Sequence, residues 1–207
     1  AVKMGSALSN IRSQREALAD VDAAKISADT GLSHSTVQRL HRRFNQLCRR
    51  GNETGASSAS LSSIHRGEGK LLSRRQMMSD PELSLNPLGA RIVCALYPRG
   101  SDAMSFPEFC SAIAVFQPAH TPAQREAKVQ FVYRMLDIEE NEFLSLTELS
   151  SLLHMLVGNN LPLEQIQSIA SRALSEVDQV KDNRISYQEF RAAMEGLDIE
   201  EKMAIHF

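Results

Sequence analysis

Three twelve-residue stretches carry most of the oxygen chemistry in this sequence. Tyr97 to Glu108, Asp137 to Glu148 and Asp178 to Glu189 align without gaps, and each ends in Glu followed by Phe or Leu. The second offers Asp137, Glu139, Asn141, Ser145 and Glu148 at positions 1, 3, 5, 9 and 12. The third offers Asp178, Asp182, Ser186 and Glu189 at positions 1, 5, 9 and 12. Side-chain oxygens at these positions, with the backbone carbonyl of position 7 and a bidentate Glu at 12, form the donor set of a Ca²⁺ ion. Phe143 and Arg184 would supply the position-7 carbonyls.

Each loop departs from that pattern. In the first, Tyr97 and Arg99 replace the oxygens of positions 1 and 3, and a guanidinium faces the dication where a carboxylate belongs. No metal is expected there. In the second, Glu142 occupies position 6, where a positive φ favours Gly by roughly 1 kcal/mol. Glu139 is also one methylene longer than Asp. In the third, Val180 has no oxygen at position 3, although Asn183 tolerates the backbone of position 6. Calcium at these last two loops is expected to be weak or absent.

The elements that must hold such loops are legible around them. The eighth residues, Met104, Leu144 and Ile185, are apolar, as paired loops that bury this side chain require. The loops recur 40 and then 41 residues apart, so one supersecondary unit repeats. Apolar residues at helical spacing flank them: Phe109, Ile113 and Phe116; Val129, Val132, Tyr133 and Leu136; Ile166, Ile169, Ala173 and Val177. Asn86-Pro87 predicts an N-cap, and Thr147 can cap a later helix carrying Leu149, Leu152, Leu153 and Leu156, with Gly158 as its stop. Helix, twelve-residue loop, helix resembles the EF-hand. A further hand is expected between Phe44 and Met78, with Ser33 capping its first helix. Its eighth position is Leu71 or Leu72, and Arg75 or Gln76 stands where Glu belongs. It too is expected to hold no metal.

The predicted fold is all-α: four EF-hands in two lobes of two paired hands each. Residues 1–30 form a mobile arm and 31–117 the N-lobe, with a Gly/Ser-rich insertion at 51–70. A linker at 118–127 leads to the C-lobe, 128–207, where Ile199 and Met203 suggest a final turn. Composition agrees: 43% hydrophobic residues suffice for a core, whereas 5% aromatics without Trp disfavour a β-sandwich. A net charge of −2 argues against a nucleic-acid binder. Residues 1–90 are basic and 91–207 acidic, which suits an acidic partner or an anionic membrane face, or simply a solvated surface. Cys48, Cys94 and Cys110 lack metal-site spacing and read as reduced thiols of a cytosolic chain. No His, Cys or Ser stands in a catalytic arrangement, so no enzyme is expected.

Several segments carry a closer likeness. They are Thr30-Gly31-Leu32-Ser33-His34-Ser35, Glu82-Leu83-Ser84-Leu85-Asn86-Pro87-Leu88-Gly89, Leu156-Val157-Gly158-Asn159-Asn160-Leu161 and Gly196-Leu197-Asp198-Ile199, with the Ile205-His206-Phe207 ending. Together they resemble the calcineurin B-like EF-hand family over about 30–207. The likeness is greatest to the calcineurin B homologous branch and next to calcineurin B. It implies a regulatory subunit that clasps an amphipathic helix of a larger protein. That protein would be a Na⁺/H⁺ exchanger in one branch and a phosphatase catalytic subunit in the other. The family is also N-myristoylated. Met4-Gly5-Ser6-Ala7-Leu8-Ser9 fits that pattern, with Gly5 the acceptor only if translation starts at Met4. The chain is then expected in the cytoplasm, reaching a membrane through its partner and an acyl chain.

The leading reading is an adaptor whose grip on a helix depends weakly or not at all on calcium. Leu153, Met155, Leu156 and Val157 are the candidate partner-binding residues, with simple core as the alternative. A Ca²⁺ sensor or buffer resting on the last two loops, and a structural subunit of a large assembly, are the other readings.

Overall fold

Residues 20–50 and 70–197 are described by the computed structural model. Within them the order is α1 (Asp20–Thr30), α2 (His34–Arg50), β1 (Leu72–Ser73), α3 (Arg74–Met77), α4 (Pro81–Ser84), α5 (Gly89–Leu96), β2 (Ala103–Met104), α6 (Phe106–Ala114), α7 (Pro122–Leu136), β3 (Phe143–Ser145), α8 (Leu146–Val157), α9 (Leu163–Val177), β4 (Arg184–Ser186) and α10 (Tyr187–Met194). A 3₁₀ turn, Gly158–Asn160, follows α8. The helical EF-hand fold is therefore present. Gly5, the insertion up to residue 69, and Ile199 and Met203 lie outside the described residues.

The chain divides into two compact units. One holds α1, α2 and α6. Ser33 begins α2, its hydroxyl accepting from Thr36 N–H at 3.2 Å. The stripe of Val37, Leu40, Phe44 and Leu47 is buried, as its 3- and 4-residue spacing requires. The Phe44 ring meets Phe106 and Phe109 at centroid distances of 5.5 Å each. Burying such a ring is worth about 2–3 kcal/mol, so Phe44 ties α2 to α6. Gly31, at φ 74°, ends α1 in a left-handed turn. Burial pushes the Cys110 thiol up to about 12 and the Cys48 thiol up to about 11, the latter against the pull of Lys70. Both are inert, packed thiols at neutral pH.

The other unit holds β1, α3–α5, β2 and everything from α7 onward. Two antiparallel ribbons organise it. Leu72 pairs with Met104, and Leu144 pairs with Ile185. These four are the eighth residues of the four loops, numbered from here in chain order with the Leu72 loop as the first, and all are buried. Of the two residues open for the first hand, Leu72 takes the position. Around the second ribbon, Val129, Tyr133, Leu174 and Phe190 complete a core that Leu149, Val177 and Met194 flank. The Tyr133 hydroxyl lies 2.6 Å from the Glu142 carbonyl and 3.0 Å from that of Ile185, sharing its proton between the two loops.

Three local expectations are corrected. Asn86 does not cap a helix: its side chain accepts from Leu88 N–H at 2.9 Å in a turn, and α5 starts at Gly89. The Asp-Pro pair that opens a helix is instead Asp80-Pro81, with Asp80 accepting from Glu82 N–H. A Cβ on Gly89 would lie 1.8 Å from the Leu83 carbonyl oxygen, so the α4–α5 corner admits only glycine. Likewise Ser145, not Thr147, caps α8, because Ser145 and Glu148 close a reciprocal box. Finally, Thr121 and Pro122 start α7 inside the stretch 118–127 expected as a linker.

Candidate metal centre

Both loops of the second ribbon are built alike. Their first halves wrap around an aspartate. Asp137 Oδ1 accepts from Asn141 N–H at 3.0 Å and Oδ2 from Glu142 N–H at 3.1 Å. Asp178 accepts from Lys181, Asp182 and Asn183 N–H at 2.6, 3.3 and 2.8 Å. Such tight wrapping forces the backbone left-handed at positions 4 and 6: φ is 55° at Glu140, 70° at Glu142, and 63° at both Lys181 and Asn183. None of the four is Gly, so each loop carries strain of order 1 kcal/mol per residue.

The second halves close on the position-12 glutamate. Glu148 Oε1 accepts from Ile138 and Glu139 N–H at 2.9 and 3.1 Å. Its Oε2 accepts from Ser145 N–H at 2.8 Å and Ser145 O–H at 2.7 Å. Glu189 repeats this with Gln179 and Val180 on one side and both Ser186 donors on the other. Four donors favour the ionised carboxylate. The Ser186 N–H and O–H, then Val180 N–H, hold Glu189 down to about 2 against burial. At Glu148 burial is the largest influence and acts upward, but the hydrogen bonds together outweigh it and leave the carboxyl below its ordinary value.

Position 9 and position 12 therefore have a second job. Ser-x-x-Glu is the capping box that starts α8 and α10, and Ser73-x-x-Gln76 starts α3 the same way. Gln76 thus occupies the place left open between Arg75 and Gln76. In the second loop Glu108 reaches back to Ser105 N–H and O–H, each at 2.7 Å. The sequence pattern Ser-x-x-Glu/Gln was the available signal, and it needs no metal.

The donor set does not fit calcium as it stands. In the third loop, Glu139 accepts from the Asn141 amide and Asn141 from Phe143 N–H, so these oxygens are engaged within the loop. Asp137 Oδ2 also lies 3.1 Å from Arg99 Nη2. In the fourth, Val180 is 76% exposed and contributes no oxygen at position 3. Arg184, whose carbonyl belongs to position 7, turns its guanidinium onto Asp182 Oδ2 at 2.7 Å and over the Phe143 ring at 4.0 Å.

The candidate partner-binding residues lie on the last two turns of α8. Leu153 and Val157 are half-buried, while Met155 and Leu156 are exposed, Leu156 at 55%. The neighbouring α9 leaves Leu163 and Ile169 exposed as well. Leu152 takes the core-facing place on α8. Among the described residues no helix is long and apolar enough to cross a membrane.

Comparison with known proteins adds two findings. A family model described as an EF-hand domain pair matches residues 126–195. The calcineurin B protein of Naegleria gruberi is 28% identical over 202 residues, which span 98% of this chain and 99% of that protein.

Proposed function

We propose that this chain, a calcineurin B-like EF-hand protein, is a non-catalytic regulatory subunit that clasps an amphipathic helix of a larger protein with little or no dependence on calcium. The observation that carries the reading is a scaffold completed by its own groups. Glu148 and Glu189 are each satisfied by four protein donors, and arginines face the carboxylates of Asp137 and Asp182. These bonds support a reading in which hands three and four keep their register without an ion to close them.

Helix capture is supported by the apolar side chains that α8 and α9 leave exposed, Met155, Leu156, Leu163 and Ile169. Apolar surface of this kind suits a helix with anchors at i, i+3, i+4 and i+7. The near full-length likeness to calcineurin B supports a larger protein partner, and a phosphatase catalytic subunit fits it as well as a Na⁺/H⁺ exchanger does. Any membrane contact would come through the partner and, if translation starts at Met4, an acyl chain on Gly5. Mass spectrometry of the chains that co-purify with the full-length protein tests this. One larger chain with an amphipathic helix is expected. A many-chain assembly in which no such helix contacts this protein would overturn the reading.

A further inference from the structure

The loops of the second and third hands are wired to each other by arginines. Arg91 on α5 donates to the carbonyls of Met135, Arg134 and Asp137 at 3.0, 3.3 and 2.6 Å, where α7 runs into the third loop. Arg134 on α7 donates in return to the carbonyl of Tyr97, the first residue of the second loop. Each hand's first helix thus holds the start of the other's loop. Between them Arg99, the third residue of the second loop, forks outward. Its Nη2 lies 3.1 Å from Asp137 Oδ2 and its Nη1 2.8 Å from Glu142 Oε1.

Asp137 is 1% exposed. A buried carboxylate needs a counter-charge, and this one has a guanidinium that engages two loop carboxylates at once. A coordinated Ca²⁺ would sit about 2.3–2.6 Å from the same Asp137 side chain. The two cations would then be within a few ångströms of each other, so they compete for one place.

We propose that the Arg99 guanidinium is the resident cation of the third hand. It occupies the electrostatic place of Ca²⁺ at Asp137, with Glu142 outside the donor set as its second anchor, and so joins hands two and three at every calcium concentration. Arg99 is then more than a lost ligand of its own loop. The proposal goes beyond the partner reading and would stand whichever helix, if any, the protein binds.

The test is calcium calorimetry on the full chain at physiological ionic strength, with Arg99→Gln and Arg99→Lys. Removing one positive charge from beside a dication predicts that Arg99→Gln gains roughly tenfold or more in affinity at the third hand. Asp137→Asn added to Arg99→Gln should abolish the gain, which assigns it to that loop. Arg99→Lys, which keeps the charge, should bind no better than wild type. An Arg99→Gln protein that binds calcium no more tightly than wild type overturns the proposal. Arg99 is 42% exposed, so the fold should tolerate the change. A reading that needs no variant of Arg99 is terbium luminescence on the wild-type chain. A saturable submillimolar site that Asp137→Asn removes would also overturn it; no such site is expected.

Discussion

Val180→Asp is the sharpest perturbation of the fourth hand. That loop already presents Asp178, Asp182, Ser186 and Glu189, and its backbone already adopts φ 63° at positions 4 and 6. What it lacks is an oxygen at position 3. The Val180 side chain is exposed, and its backbone N–H donates to Glu189 Oε1 at 3.1 Å, a bond the substitution leaves in place. Fold stability should therefore change by no more than about 0.5 kcal/mol. Across water-like surroundings, a carboxylate about 4 Å from a dication is worth about 2 kcal/mol, or about thirtyfold in Kd. Calorimetry on the full chain should show that gain, and Glu189→Gln should erase it because the bidentate ligand is gone. Glu108→Gln should leave it untouched. If Val180→Asp binds no more tightly than wild type while keeping its helical signal and Tm, the missing oxygen is not what disables the loop.

Three further outcomes follow from the same geometry. Leu144→Ala removes a fully buried side chain from the β3–β4 ribbon and should cost about 3–5 kcal/mol, read as a fall in Tm of roughly 6–20 °C; a fall under about 2 °C would contradict the core assignment. Glu189 is held down to about 2, so it contributes stability above its unfolded value near 4.5 and loses it as pH falls toward 2. Thermal unfolding from pH 5 to 2.5 should show Glu189→Gln losing less stability than wild type; parallel curves would refute the hydrogen-bond account. Leu156→Asp should weaken partner capture at least tenfold with the far-UV helical signal unchanged, whereas loss of that signal would make Leu156 core.

Much of this was readable from residue types because it rests on short-range periodicity. The position-8 residues Met104, Leu144 and Ile185 stood out from the gapless repeat, and Ser33 and Gly158 mark helix ends through local backbone chemistry. Capping was legible only in part. Ser145 and Thr147 are both competent caps, and the reciprocal bond from Glu148 decides between them. Asn86-Pro87 has the composition of a helix start, but Asn86 closes a turn while Asp80-Pro81 starts the preceding helix. The serines at position 9 looked like metal donors, although helix capping alone explains them. Arg99 was the largest omission. Its type shows the damage to its own loop, but its reach to Asp137 and Glu142 crosses about 40 positions and depends on how α5 and α7 pack.

Helix binding without metal is the property on which the proposed role rests. Its most direct test is to isolate the full-length chain with its partner in parallel, once in EGTA and once in saturating Ca²⁺, and to measure the amount of partner bound. The scaffold's self-sufficient loops predict equal capture in both, and a complex that forms only in Ca²⁺ would contradict the account.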